Sequence, residues 1–331
     1  MRSQSCGIHP AEGTVVTTTA QPPAATREAL GPTLVRLREE GLDIAVVDGD
    51  LGISTTARQF GDRFPERFFT MGVAEQNMVG IAAGLAAAGK IAFASTFAVF
   101  MPGRCYDQLR VGIAQPNLNV KLFASHGGIT PGEDGISAHA IEDLALMCSL
   151  LSFRVIVPAD VIEAAGAVEC AAREPGPFYI RAGRPKIPVI YPPNHRFELG
   201  KADLLRPGRD VTIIATGVMV KAALDAAETL SAGGVDARVL NLATWRPLDT
   251  AAIEAAARET GAIVTAEEHL VHCGLGAMIA QHLATTRPVP MGFVGMRSYA
   301  ESGKWDELLV KYDLTPAAIV REAEVAIARK R

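Results

Sequence analysis

Glu75 stands in the run Gly72-Val73-Ala74-Glu75-Gln76-Asn77-Met78, and small, largely apolar residues continue from Val79 to Gly89. Beyond them lies a phenylalanine-bearing stretch, Phe93-Ala94-Ser95-Thr96-Phe97-Ala98-Val99-Phe100. A carboxyl group partly shielded from water is well suited to exchanging a proton with a nearby base. Phe97 and Phe100 are three apart, a spacing that puts both rings on one side of a helical turn, where aromatic faces stack on a flat heterocycle. Protonation of a planar ring is the chemistry this pairing suits. A helix-start glutamate is also stabilised by the helix dipole alone, and phenylalanines so spaced also serve as core. The combination therefore says more than either part.

A second group gathers around two histidines. His126 sits in Ser125-His126-Gly127-Gly128, and the loop runs on through Thr130-Pro131-Gly132-Glu133-Asp134-Gly135-Ile136-Ser137-Ala138-His139. Glycines let the backbone approach a ligand closely, Asp134 supplies an acceptor, and His139 supplies a group that switches near neutral pH. Two further sets look less chemical. Glu267-Glu268-His269 follows an apolar run, and a catalytic pair of Glu267 with His269 is the less favoured reading. Asp48 and Asp50 end another such run and read as a loop contact rather than a metal site.

Positioning these groups requires a frame, and 331 residues suggest about two domains. Short apolar runs at 44–47, 91–94, 120–123, 155–157 and 178–180 read as buried parallel strands, separated by helical or glycine-rich stretches. Leu30, Leu34 and Leu37 mark a helix within 24–40. Proline density from Arg184 to Asn194 reads as a linker. Further strands are expected at 211–215, 237–241 and 262–266, with a helix over 220–231. The expectation is two doubly wound α/β domains, at 24–184 and 205–331, joined by a linker at 185–204. A Ser-, Thr-, Gly- and Pro-rich arm at 1–23 precedes them.

Composition narrows the class. Hydrophobic residues make up 49% and charged ones 21%, the balance of a well-buried globular protein. A net charge of −4 offers no electrostatic case for nucleic acid or an anionic membrane. No apolar run is long enough to suggest a membrane span, and the N-terminus has no signal-peptide core. Cys6, Cys105, Cys148, Cys170 and Cys273 stand far apart. That arrangement suits free thiols in a reducing cytoplasm better than disulfides or zinc.

Over roughly residues 25 to 325 the chain resembles the transketolase family, through the Glu75 segment, the Phe97–Phe100 run and the Gly132-to-His139 loop. The resemblance implies a thiamine diphosphate enzyme with a pyrimidine-binding domain followed by a transketolase C-terminal domain. Glu75 then contacts N1′ of the pyrimidine, Phe97 and Phe100 line its pocket, and Asp50 lies beneath the cofactor. Gly103 departs from the pattern, since many transketolases carry a third aromatic there. Asp134 reads a substrate hydroxyl, while His126 and His139 handle protons near the reacting carbon. Arg27, Ser54, His126 and Arg181 match the sugar-phosphate anchors, an assignment that suits the bidentate way arginine binds phosphate.

A full-length transketolase carries a preceding domain that holds the diphosphate and Mg2+. The segment Asp48-Gly49-Asp50 has no long stretch before it to form one. The resemblance thus implies one half of a split transketolase, acting on phosphorylated sugars in an α2β2 assembly with a diphosphate-binding subunit that holds most of the Mg2+ contacts. A 2-oxoacid dehydrogenase E1 β-type subunit shares both domains and the glutamate, but needs no phosphate set. A non-catalytic scaffold subunit would not need Glu75.

Overall fold

The computed structural model describes residues 21–330, so residues 1–20 of the expected arm, with Cys6, lie outside the described residues. Among the described residues twelve strands are interspersed with helices: β1 (Ile44–Asp48), β2 (Phe68–Thr70), β3 (Ile91–Phe97), β4 (Val120–Ser125), β5 (Arg154–Ile156), β6 (Phe178–Arg181), β7 (Asp203–Arg206), β8 (Val211–Ala215), β9 (Ala237–Asn241), β10 (Thr244–Arg246), β11 (Ile263–Leu270) and β12 (Met291–Met296). One sheet runs β10-β5-β6-β4-β3-β1-β2, the other β12-β11-β8-β9-β7. Pairing is parallel except at β10 against β5 and β7 against β9. Both units are the α/β layers that the alternating pattern predicts.

Strands β1, β4, β6 and β8 are buried at every residue, as strands covered on both faces must be. Successive side chains in the first sheet serve two cores. Val47, Ala92, Ala94 and Leu122 pack on one face, and Val46, Phe93 and Phe123 on the other. The helix Leu30–Glu39 seats its buried Leu30, Leu34 and Leu37 against the second of these cores. Among the described residues no helix is long and apolar enough to cross a membrane. Cys105, Cys148, Cys170 and Cys273 are free thiols.

Two segments differ from the sequence pattern. Thr244–Arg246 lies within the expected second domain, yet it pairs with β5 at the edge of the first sheet. Trp245 anchors it, fully buried, with its indole N–H donating to Thr216 at 3.2 Å. The proline-rich stretch is also no loose tether. Ile187 and Ala24 exchange backbone hydrogen bonds of 3.1 Å, and the buried Asp160 accepts from the amides of Ile190 and Tyr191 at 2.7 Å. Proline ends regular structure there, but buried apolar side chains still fix the path.

Candidate active site

The site forms at the carboxyl ends of β1, β3 and β4, where open α/β sheets hold their ligands. Glu75 opens the helix Glu75–Ala87 and is only 3% exposed. Arg104 places Nη1 3.0 Å from each of its carboxylate oxygens. Phe97 closes β3 and Phe100 opens the helix Phe100–Asp107, so the two do not share the helical turn that their spacing suggests. The strand-to-helix corner brings the rings together all the same, with centroids 5.8 Å apart and planes 15° from parallel. Gly103 faces open space, since a Cβ there would meet nothing within 4 Å. Asp48 Oδ1, Ser95 Oγ and Thr96 Oγ1 are buried without hydrogen-bond partners at the ends of β1 and β3. A buried carboxylate beside an aromatic stack, with orphaned polar atoms nearby, fits an aminopyrimidine ring with its own donors and acceptors.

His126 lies directly beyond β4, at φ 60°, and stacks on Phe97 at 3.7 Å between centroids. Its Nδ1 is 2.8 Å from Ser125 Oγ. Burial, then the charges of Arg27 and Arg184, push its pKa down to about 3, so the ring is neutral at physiological pH. The Arg27 guanidinium is itself held below its usual range by burial and by Arg184. Arg27 donates to the Ser54 carbonyl at 2.6 Å. Arg184 donates to the Pro131 carbonyl and lies 3.9 Å from Asp134. Arg27, Ser54, His126, Asp134 and Arg184 therefore share one neighbourhood. His139, 4% exposed, faces the Gly132 carbonyl through Nε2 at 3.3 Å and leaves Nδ1 unpartnered. Burial lowers its pKa against the opposing pull of that carbonyl and Asp134. Asp50, the other expected cofactor contact, is an exposed residue at φ 65° just past β1.

Arg181, expected from the sequence match as a phosphate anchor, is 4% exposed and lines a small pocket with Thr26, Gly127 and Gly183. Its Nε pairs with Asp143 at 3.2 Å, and Nη2 donates to the carbonyls of Ala140 (2.6 Å) and Glu268 (3.0 Å). Arg184, which the sequence match does not single out, also lies near His126. The available signal was the second arginine in Arg181-Ala182-Gly183-Arg184, beyond the end of β6.

Glu267, Glu268 and His269 of β11 are buried and structural. Glu267 accepts from the amides of Leu275 and Gly276 (2.7 and 2.9 Å), and burial pushes its pKa up to about 8. Glu268 accepts from the amides of Ile129 and Thr130 (2.6 and 2.7 Å), tying the second unit to the histidine loop. Glu163, His195 and Asp203 bring three ligand-type atoms within 4.8 Å of one another. Those carboxylates already accept from the Ala159 amide, Asn241 and the Tyr191 hydroxyl, so the group braces the linker against the second unit.

Fold and site together define a two-domain α/β protein with a buried carboxylate beside an aromatic stack and a cluster of arginines around a neutral histidine. Residues 22–189 match the pyrimidine-binding domain of transketolase, and residues 200–319 match the transketolase C-terminal domain. A protein called putative transketolase C-terminal section, from Methanocaldococcus jannaschii, is 40% identical over 301 residues, 89% of this chain and 94% of that one. The 6-deoxy-6-sulfo-D-fructose transketolase subunit SqwH of a Clostridium strain is 42% identical over 87% of this chain and 89% of its own. A solved structure described as a split gene transketolase, inactive beta4 tetramer, superposes with a TM-score of 0.86 at 46% identity, covering 93% of this chain and all of that one. The chain belongs to the transketolase family. It is a transketolase-type transferase subunit carrying the pyrimidine-binding and C-terminal domains.

Proposed function

We propose that this chain is one half of a split, thiamine-diphosphate-dependent transketolase. Joined to a separate diphosphate-binding subunit in an α2β2 assembly, it transfers a two-carbon ketol unit from a ketose phosphate to an aldose. The observation that carries the reading is the buried Glu75 carboxylate beside the Phe97–Phe100 stack. Thiamine diphosphate, when bound, supplies the nucleophilic ring carbon; the partner subunit holds most of its diphosphate and Mg2+. Glu75 exchanges a proton with the ring nitrogen, Phe97 and Phe100 support the ring's flat face, and Asp50 contributes at the loop below. His126, kept neutral, and His139 hydrogen-bond to substrate oxygens and move protons. Asp134 orients a hydroxyl. Arg27, Ser54 and Arg184, rather than Arg181, receive the terminal anion.

The split-gene relative has the same span and is described as inactive as a β4 tetramer, which supports a requirement for a second subunit here. A 2-oxoacid dehydrogenase β subunit would have no use for the Arg27–Arg184 pair. A relative named for a sulfo-sugar makes a sulfonate the competitor for the same arginines, while one named for apulose 4-phosphate suits a phosphate. The four free thiols among the described residues suit a cytoplasmic setting.

The test is ketol transfer from xylulose 5-phosphate to ribose 5-phosphate with thiamine diphosphate and Mg2+, using the chain alone and with its candidate partner. Activity is expected only in the mixture, and Glu75→Gln should lower it about 100-fold or more without dissociating the assembly. Turnover by the chain alone, or full turnover by Glu75→Gln, would overturn the proposal. Turnover with a 6-sulfo-ketose in place of the phosphate would reassign the anion.

A further inference from the structure

Arg104 covers the two features that the Glu75 pocket presents. Its Nη1 is 3.0 Å from both Glu75 oxygens, and its guanidinium carbon lies 4.0 Å from the centroid of the Phe100 ring. A guanidinium is planar, cationic and a donor only. Those are the properties that a carboxylate beside an aromatic face selects. The two partners differ in freedom. Glu75 is 3% exposed, whereas the Arg104 side chain is 44% exposed and reaches in from the surface. Gln76 donates to the Arg104 carbonyl at 2.7 Å, which fixes the backbone and leaves the side-chain torsions free. Beside it Gly103 faces open space, room into which a displaced side chain can move.

We infer that Arg104 stands in for the aminopyrimidine ring of the cofactor: it pairs with Glu75 and stacks on Phe100 in the free subunit, and withdraws when the ring binds. The inference rests on the reading of Glu75 as the ring's partner. A buried carboxylate without a counter-charge is costly, and removing one member of such a pair destabilises the fold. A resident arginine therefore lets a subunit without cofactor keep its pocket formed. The consequence is a competition. Only the fraction of molecules with Arg104 withdrawn can accept the ring, so apparent cofactor affinity falls by that fraction. Arg104 is on this account a residue that sets cofactor affinity, not one that takes part in the chemistry.

The experiment titrates thiamine diphosphate calorimetrically, with Mg2+, into the chain assembled with its diphosphate-binding partner. It compares wild type, Arg104→Met and Glu75→Gln. Methionine keeps an apolar stem over Phe100 and removes the cation, so it preserves more packing than Arg104→Ala, which serves as the second variant. Arg104→Met is expected to bind about tenfold tighter, while its free chain melts at a lower temperature than wild type. Equal or weaker binding by a folded Arg104→Met would overturn the inference, weaker binding because it would make Arg104 a direct cofactor contact. Wild-type binding that Glu75→Gln weakens, with no gain in either Arg104 variant, would remove the inference alone and leave the proposed function standing. No binding by the wild-type assembly would overturn both.

Discussion

Arg181 and Arg184 stand three positions apart and differ in burial. Arg181 pairs with the buried Asp143, whose carboxyl is pushed up by burial even beside that guanidinium. Arg184 is part-exposed, near Arg27 and His126. Arg181→Ala should cost about 3 kcal/mol of stability, read by urea unfolding. Arg184→Ala should leave stability within about 0.5 kcal/mol and raise KM for the phosphorylated donor about tenfold or more. The reverse pattern would return the anion site to Arg181. The residue types were legible in the sequence; their burial was not. Whether the end of β6 is open depends on Ala140 and Glu268, distant residues whose carbonyls close over Arg181.

The helix Glu75–Ala87 turns Glu75, Met78, Val79, Ala82 and Ala86 inward. Cβ atoms added at Gly80 or Gly84 would meet nothing within 4 Å, so this stripe is free in the single chain. Gly84→Leu should leave the melting temperature of the isolated chain unchanged or slightly raised, since leucine favours helix over glycine. If the stripe packs against the partner subunit, the same change should weaken co-purification and cofactor retention; undiminished assembly would end that idea. The loop after β4 is less tolerant. A Cβ at Gly128, where φ is +73°, would fall 1.9 Å from the Glu268 carboxyl carbon. Gly128→Ala should therefore cost about 3 kcal/mol, measured by thermal or urea unfolding. A helix opening at Glu75 was readable from its small and apolar run. The Phe97–Phe100 corner was not, because β3 stays paired as far as Phe97 opposite Ser125 before the chain turns helical.

Across the whole molecule, buried titratable groups on β11 tie stability to pH. Glu267 is raised by burial to about 8 from an ordinary 4.5. A group raised in the folded state contributes stability that is full below pH 4.5 and is lost as pH rises through about 8. Glu267→Gln removes that titration. The stability difference between variant and wild type should therefore shift in the variant's favour between pH 5 and pH 8, and a constant difference would show that Glu267 does not titrate there. His269, held down to about 3 by burial and Arg181, works in the other direction, losing its contribution as pH falls from 6.5. The sequence by itself determined the α/β class, the two sets of buried strands, the helix that begins at Glu75 and the glycine loop carrying Asp134 and His139. Each is written in a local run of residue types. Only the tertiary structure decided that Thr244–Arg246 completes the first sheet, that Arg181 is walled in while Arg184 joins Arg27 beside His126, and that Arg104 lies on Glu75. Those outcomes depend on which distant segment covers which surface, and no local window of sequence records that.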